Sequence, residues 1–338
     1  MEQTKLKVET GKPDSAICHL PSAIRWRELA RQAAGLGLIL IALCVVLSLR
    51  SPYFLTQRNL LNVLAQSSIN TVLAVGMTFV IITGGIDLSV GSALALVAVV
   101  MAVAVEAGLG GPAAIVCGLL CGLGIGAVNG LAVVLMRIPP FIVTLGTLSI
   151  ARGLAFVVAG GRTIQVQPAS LRVWGEGRWL GVPILTIIAL ALVVCGHIAL
   201  TKTRFGRHLF AIGSNEQVAW LAGVKTGFNK WGAYAISGLT IFLGALISTG
   251  RLGSADPIRG EGYELDAIAA VIIGGTSLMG GRGSVLGTLL GALLIAVLRN
   301  GLNLEDVTAA WQKVIIGAVI IGAVFLDRWR HQGTKLGP

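Results

Sequence analysis

The chain has 338 residues, 55% of them hydrophobic and 12% charged, with a mean hydropathy of +0.84 and a net charge of +11. Soluble domains carry about 25% charged residues, so this chain cannot cover a water-facing surface along its length, and lipid must be the solvent for much of it. The basic balance does not signal nucleic acid, since there is no soluble basic domain to carry such a site; positive charge of this kind sets membrane topology.

Residues 1–31 are polar and mixed, with Lys5, Lys7, Lys12, Pro13 and Pro21, and read as a largely disordered cytoplasmic tail. Arg25, Arg27 and Arg31 precede the first apolar run, 32–49, whose 18 uncharged residues exceed a signal-peptide core and are followed by no small-residue cleavage site. Uncharged stretches then follow at 59–86, 88–105, 107–136, 179–201 and 231–250, and a further run, 138–161, is interrupted only by Arg152. At about 1.5 Å per residue each can cross about 30 Å of hydrocarbon. Three more runs, 267–281, 283–298 and 314–326, are shorter, and from hydropathy alone an eight-helix chain with a re-entrant pair is an alternative to ten spans. The fold expected is all-α, a polytopic bundle of about ten transmembrane helices over 32–326, closed by a tail at 327–338.

With ten spans both termini share a side, and that side carries 16 of the 26 Lys and Arg residues against nine on the other. This excess places both termini in the cytoplasm. Trp174, Trp179 and Trp311 then fall near outer span ends, as interfacial aromatics do.

Gly118, Gly122, Gly126 and Gly130 recur every four residues, as do Gly283, Gly287 and Gly291. Such spacing lines one helix face and lets another backbone approach, so these glycines read as packing seams. Cys44, Cys117, Cys121 and Cys195 lie in apolar runs without metal or redox spacing, and no disulfide is expected. The segment Val80–Gly85 resembles 271–275, each followed by a polar turn and a Gly-Ser pair (Gly91-Ser92, Gly283-Ser284), a possible trace of internal duplication.

No phosphate-binding Gly-x-x-x-x-Gly-Lys-Ser/Thr occurs, nor Gly-x-Ser-x-Gly or His-Glu-x-x-His. The chain therefore reads as a non-catalytic membrane protein with no cofactor and no metal, and any ATP must be handled by another subunit. Arg152 is the one charge well inside a run, facing either the bundle interior or the interface by snorkelling. Asp87 follows Gly84-Gly85 and reads first as the N-cap of the next helix, with a gate or substrate role second; Glu264 and Asp266 likewise open a helix. The scarcity of intramembrane carboxylates and histidines argues against an ion-coupled carrier. Segment 201–227 is too polar to span. It predicts a short helix over 215–222, capped by Ser214 or Asn215 and stopped by Gly223, that lies on the cytoplasmic face and docks another protein or rests on headgroups.

The stretch 76–92, GMTFVIITGGIDLSVGS, resembles a hallmark of the ribose/xylose-type sugar permeases of bacterial ABC importers. Residues 262–284, from Gly262-Tyr263-Glu264 to Gly280-Gly281-Arg282-Gly283-Ser284, resemble a second signature of that family, and Ala211–Glu216 followed by Gly223 resembles its ATPase-coupling loop. The likeness spans about residues 30–326. It implies ten spans in the bacterial inner membrane and a path for a ribose-like monosaccharide. It also implies an ATP-binding partner with two fused nucleotide-binding domains, a periplasmic sugar-binding protein, and a second copy of the chain forming a homodimer. By the match, Gly206, Gly213, Asn215, Glu216, Ala219 and Gly223 belong to the coupling segment, and Gly84, Gly85, Asp87, Ser89, Arg152, Glu264 and Asp266 fall in or near the signatures as path or gate residues. One departure is Gln217-Val218-Ala219-Trp220, where the family often has Glu-Ala-Ala and a basic residue; Trp220 enlarges the apolar contact offered to the ATPase. A stand-alone carrier and a structural or signalling membrane protein are the other classes, and amino acids or nucleosides the other cargoes.

Overall fold

The computed structural model describes residues 22–166 and 168–332, almost all helical. In chain order the helices are α1 (Ser22–Arg50), α2 (Gln57–Ile82), α3 (Val90–Glu106), α4 (Gly111–Leu135), α5 (Pro140–Ala159), α6 (Ala169–Glu176), α7 (Ile184–Lys202), α8 (Arg204–Ser214), α9 (Glu216–Leu221), α10 (Thr226–Leu252), α11 (Tyr263–Ile273), α12 (Val285–Leu304) and α13 (Ala309–Gln332). Among the described residues six of them, α2, α4, α5, α7, α10 and α12, are long and apolar enough to cross a membrane. Apolar stretches of α1, α3 and α13 are shorter. The chain is a helical membrane protein.

Helix α1 starts at Ser22, so part of the segment expected as a tail is helical; the helix formers Arg25, Arg27, Glu28 and Leu29 favour that state. The remainder of both expected tails, 1–21 and 333–338, lies outside the described residues. The run 283–298 becomes a full helix because α12 continues through Arg299 and Asn300 to Leu304. The run 267–281 does not: α11 stops at Ile273 after 11 residues, about 16 Å of rise and half a bilayer core.

Helix α2 is the centre of the bundle. Every residue from Ser67 to Ile82 is buried, and α10, α12, α11 and α7 pack around it. Its polar residues turn inward: Thr78 Oγ1 meets Thr288 Oγ1 of α12 at 2.8 Å, and Ser68 Oγ donates to Thr186 Oγ1 of α7 at 3.1 Å. Helix α10 crosses α4 on glycine, where a Cβ on Gly122 would lie 2.8 Å from the Gly238 carbonyl oxygen. Two small strand pairs finish the opposite end. β1 (Ile164–Gln165) pairs antiparallel with β4 (Ser254–Ala255), and β2 (Arg178–Trp179) with β3 (Val182–Pro183). Beside them Arg162 and Glu106 form a two-pronged ion pair at 2.8–3.0 Å that raises the Arg162 guanidinium above its ordinary value.

Two turns share one backbone design. After α2, Gly84 takes φ +80°, its N–H donates to Ile81 O, and Gly85 N–H donates to Val80 O. After α11, Gly275 takes φ +88°, its N–H donates to Ile272 O, and Thr276 N–H donates to Val271 O. Both are helix stops of the Schellman type, with glycine at the left-handed position. The likeness of 80–85 to 271–275 is thus also a likeness of backbone.

Candidate coupling and translocation site

Asp87 lies in the link between α2 and α3 and is fully buried. The cap position of α3 belongs to Ser89, whose side chain makes no capping bond, so the N-cap expectation for Asp87 needs correction. Its carboxylate instead gathers donors from two elements. Oδ1 accepts from the Ser89 N–H at 3.0 Å and the Ser89 hydroxyl at 2.6 Å, while Oδ2 accepts from Ser237 of α10 at 2.7 Å. Asn129 of α4 extends the network: its amide donates to Ser89 Oγ at 3.0 Å, and its carbonyl oxygen accepts from Thr147 of α5 at 2.6 Å. Thr144 of α5 donates to Ile86 O at 3.1 Å. Buried polar groups left unpaired are costly, so this network fixes the start of α3 against three helices. The Tyr234 hydroxyl sits below Gly85, where a Cβ would meet it at 2.7 Å, and has no hydrogen-bond partner among the described residues.

The start of α3 meets the start of α11. A Cβ on Gly91 would collide with the Gly260 carbonyl oxygen and Glu264 Oε2, so backbone touches backbone where two discontinuous helices begin. Arg152 reaches from α5 to this place. Its Nη1 donates to the carbonyl oxygens of Pro257 and, at 3.0 Å, Arg259. It thus faces the protein interior and holds the segment between β4 and α11. Glu264 Oε1 accepts from Gly262 N–H at 3.3 Å, and Asp266 pairs with Arg299 of α12 at 2.9 Å.

At the other end, segment 201–227 forms two helices where one was expected. Thr203 caps α8 through Gly206 N–H at 3.2 Å, and Gly206 packs on the Ala199 and Leu200 carbonyls. The extra helix was legible as an amphipathic stretch, Phe205, Leu209 and Ile212 falling at helical spacing. Asn215 caps α9 through Val218 N–H at 3.0 Å, and Gly223 ends it at φ +83°. Ala219 is buried, whereas Val218, Trp220 and Leu221 are exposed, Trp220 by 66%. Glu216 is exposed as well, and its carboxylate pairs with Lys230 of α10 at 2.5 Å. Between α9 and the α4–α5 turn lies a cavity of about 500 Å³ lined by Val133, Arg137, Pro140, Trp220 and Lys230.

Gly213 joins this end to the loops that follow α2 and α11. A Cβ there would collide with Ile82 O and Gly281 N, which are bonded to each other at 2.9 Å. One on Gly280 would lie 2.9 Å from Gly84 N and 3.0 Å from Gly213 Cα. The expected seam residues divide. Gly118, Gly122, Gly126 and Gly130 face Met101, Phe242, Gly238 and Trp231; Gly287 and Gly291 face the Gly274 and Ala270 carbonyls; Gly283 precedes α12 and touches Thr276 and Ile82. Sequence reading missed Asn129, Thr147, Ser237 and Lys230. Asn129 had a signal, as the one side chain with hydrogen-bonding N or O in the run 107–136.

Residues 59–324 match the model of a family described as branched-chain amino acid transport system / permease component. The chain belongs to this permease family. It is 44% identical over 299 residues to the ribose import permease protein of Bacillus subtilis strain 168, covering 88% of this chain and 93% of that one. It is 37% identical over 293 residues to the D-allose transport system permease protein of Escherichia coli K12 (86% and 90%), and 36% over 320 residues to the galactose/methyl galactoside import permease protein of the same strain (89% and 95%). No solved structure matches.

Proposed function

We propose that this permease is the membrane subunit of an ATP-binding-cassette importer for ribose or a closely related monosaccharide. The observation that carries the reading is 44% identity to a ribose import permease along 93% of that protein. Three sugar permeases among the relatives favour a sugar over the amino acids in the family description.

The permease sits in the bacterial inner membrane and crosses it about ten times. The spans are α1–α5, α7 and α10–α13, with α3 and α11 completed by the non-helical segments that precede them. Both termini are cytoplasmic by the excess of positive charge on that side. ATP is hydrolysed on a partner chain with two fused nucleotide-binding domains. That partner docks on α8–α9, where Val218, Trp220 and Leu221 present an apolar surface. A periplasmic sugar-binding protein delivers the substrate, and a second copy of the permease completes the path. Gly206, Gly213, Asn215, Glu216, Ala219 and Gly223 form the coupling element. Gly84, Gly85, Asp87, Ser89, Arg152, Glu264 and Asp266 hold the two discontinuous helices that gate the path. The glycines of α4 and α12 are packing seams. Rigid displacement of α8–α9 on ATP binding moves both glycine turns through Gly213 and rocks the bundle between outward- and inward-open forms.

The test is purification of the tagged permease from its native membrane, identification of what accompanies it, and reconstitution with those partners and labelled ribose. ATP-dependent ribose uptake requiring the binding protein is expected. A permease that purifies alone and moves ribose without ATP would overturn the assignment.

A further inference from the structure

Helix α10 carries three contacts on one face. Lys230, Tyr234 and Ser237 are spaced four and three residues apart and lie along a single helical stripe. Lys230 pairs with Glu216 of α9 at 2.5 Å, the Tyr234 hydroxyl lies under Gly85, and Ser237 donates to Asp87 at 2.7 Å. The stripe begins on the docking element and ends on the buried carboxylate that fixes α3. Elsewhere α10 is locked to its neighbours by backbone contact: a Cβ on Gly238 would lie 3.1 Å from Gly126 Cα, and one on Gly76 3.1 Å from Ser237 Cα. A helix packed so closely moves as a rod.

We infer that Glu216 and Lys230 form a strut between the coupling helix and α10, and that α10 transmits the displacement of α9 to Asp87. This makes both of them positioning residues and gives Glu216 a partner inside its own chain. The strut is distinct from the Gly213 junction, which reaches the turns through α8. It rests on the importer reading only for its role in transport; its mechanical content concerns this chain alone. Lys230 is 21% exposed and Glu216 48%, so the pair's contribution to stability is modest.

The experiment compares Glu216→Lys, Lys230→Glu and the double exchange. Hydrogen–deuterium exchange is followed on the purified permease in detergent at 216–222 and 84–89, and ribose uptake on the reconstituted importer. Each single reversal is expected to speed exchange about fivefold in both segments and to lower uptake by a similar factor, and the double exchange to restore both. Ser237→Ala is expected to speed exchange at 84–89 while leaving 216–222 as it was. Unchanged exchange at 84–89 in the single variants, or failure of the double exchange to restore it, would overturn the strut. A permease that shows the exchange pattern but carries no ribose loses the substrate assignment and keeps the strut. One that carries ribose without the pattern does the reverse.

Discussion

Two helix pairs, α2–α3 and α11–α12, meet inside this permease where α3 and α11 begin, and the aspartate near each of those starts is held in a different way. In the α2–α3 unit, Asp87 is fully buried and accepts only from neutral donors, Ser89 and Ser237. In the α11–α12 unit, Asp266 is almost as buried but faces the Arg299 guanidinium, whose side chain is 32% exposed. The turns differ accordingly. The first is largely buried with only Gly84 exposed, whereas the second leaves Met279 88% exposed at its tip. Shared backbone design therefore does not bring shared mechanics: the first unit is fixed by a network through four helices, the second by one ion pair and by glycine contacts between α11 and α12.

That contrast can be broken at its strongest point. Asp87→Ala strips the acceptor from three buried donors and is expected to cost about 4 kcal/mol, seen as a large drop in detergent melting temperature and loss of uptake. A variant that melts like the wild type would show that the network is dispensable. Arg299→Leu leaves Asp266 uncompensated, but solvent reaches the pair, so a smaller loss of about 2 kcal/mol is expected by the same melt. Gly213→Ala acts on both units, because its Cβ falls on Ile82 O and Gly281 N. It is expected to cost about 1–2 kcal/mol by overpacking while reducing uptake far more than stability. Equal losses in the two would remove the junction from the coupling path. Met279→Ala, at the exposed tip, should stay within about 0.5 kcal/mol of wild type in the melt.

Much of this was legible in the sequence. The six helices long and apolar enough to cross a membrane each fall on an apolar run, and the close packing at Gly118, Gly122, Gly126 and Gly130 followed from their spacing. Helix α9 was marked by Asn215 and Gly223, a polar cap and a left-handed stop. What hydropathy could not give was the division of an apolar run into helix and non-helix. The run 267–281 contains the last seven residues of α11, a glycine stop and a polar turn, all uncharged, and charge alone passes through them without a mark. Nor could it tell protein-facing from lipid-facing helices. α2 is wholly interior over its last four turns, while α5, of higher hydropathy, is the barest span of the six. The partners of Asp87 were hidden for another reason. Ser89 is local, but Asn129, Thr147 and Ser237 come from three other helices, and only packing brings them together.

Trp220 has a practical consequence. It stands on a six-residue helix whose ends are fixed by an asparagine cap and a left-handed glycine, and whose buried contact is Ala219. The exposed side chains Val218, Trp220 and Leu221 take no part in that scaffold. Under the proposed function, the address that selects a motor is thus written on a cassette separable from the membrane machinery. A graft of three side chains could re-route the same permease to a different engine.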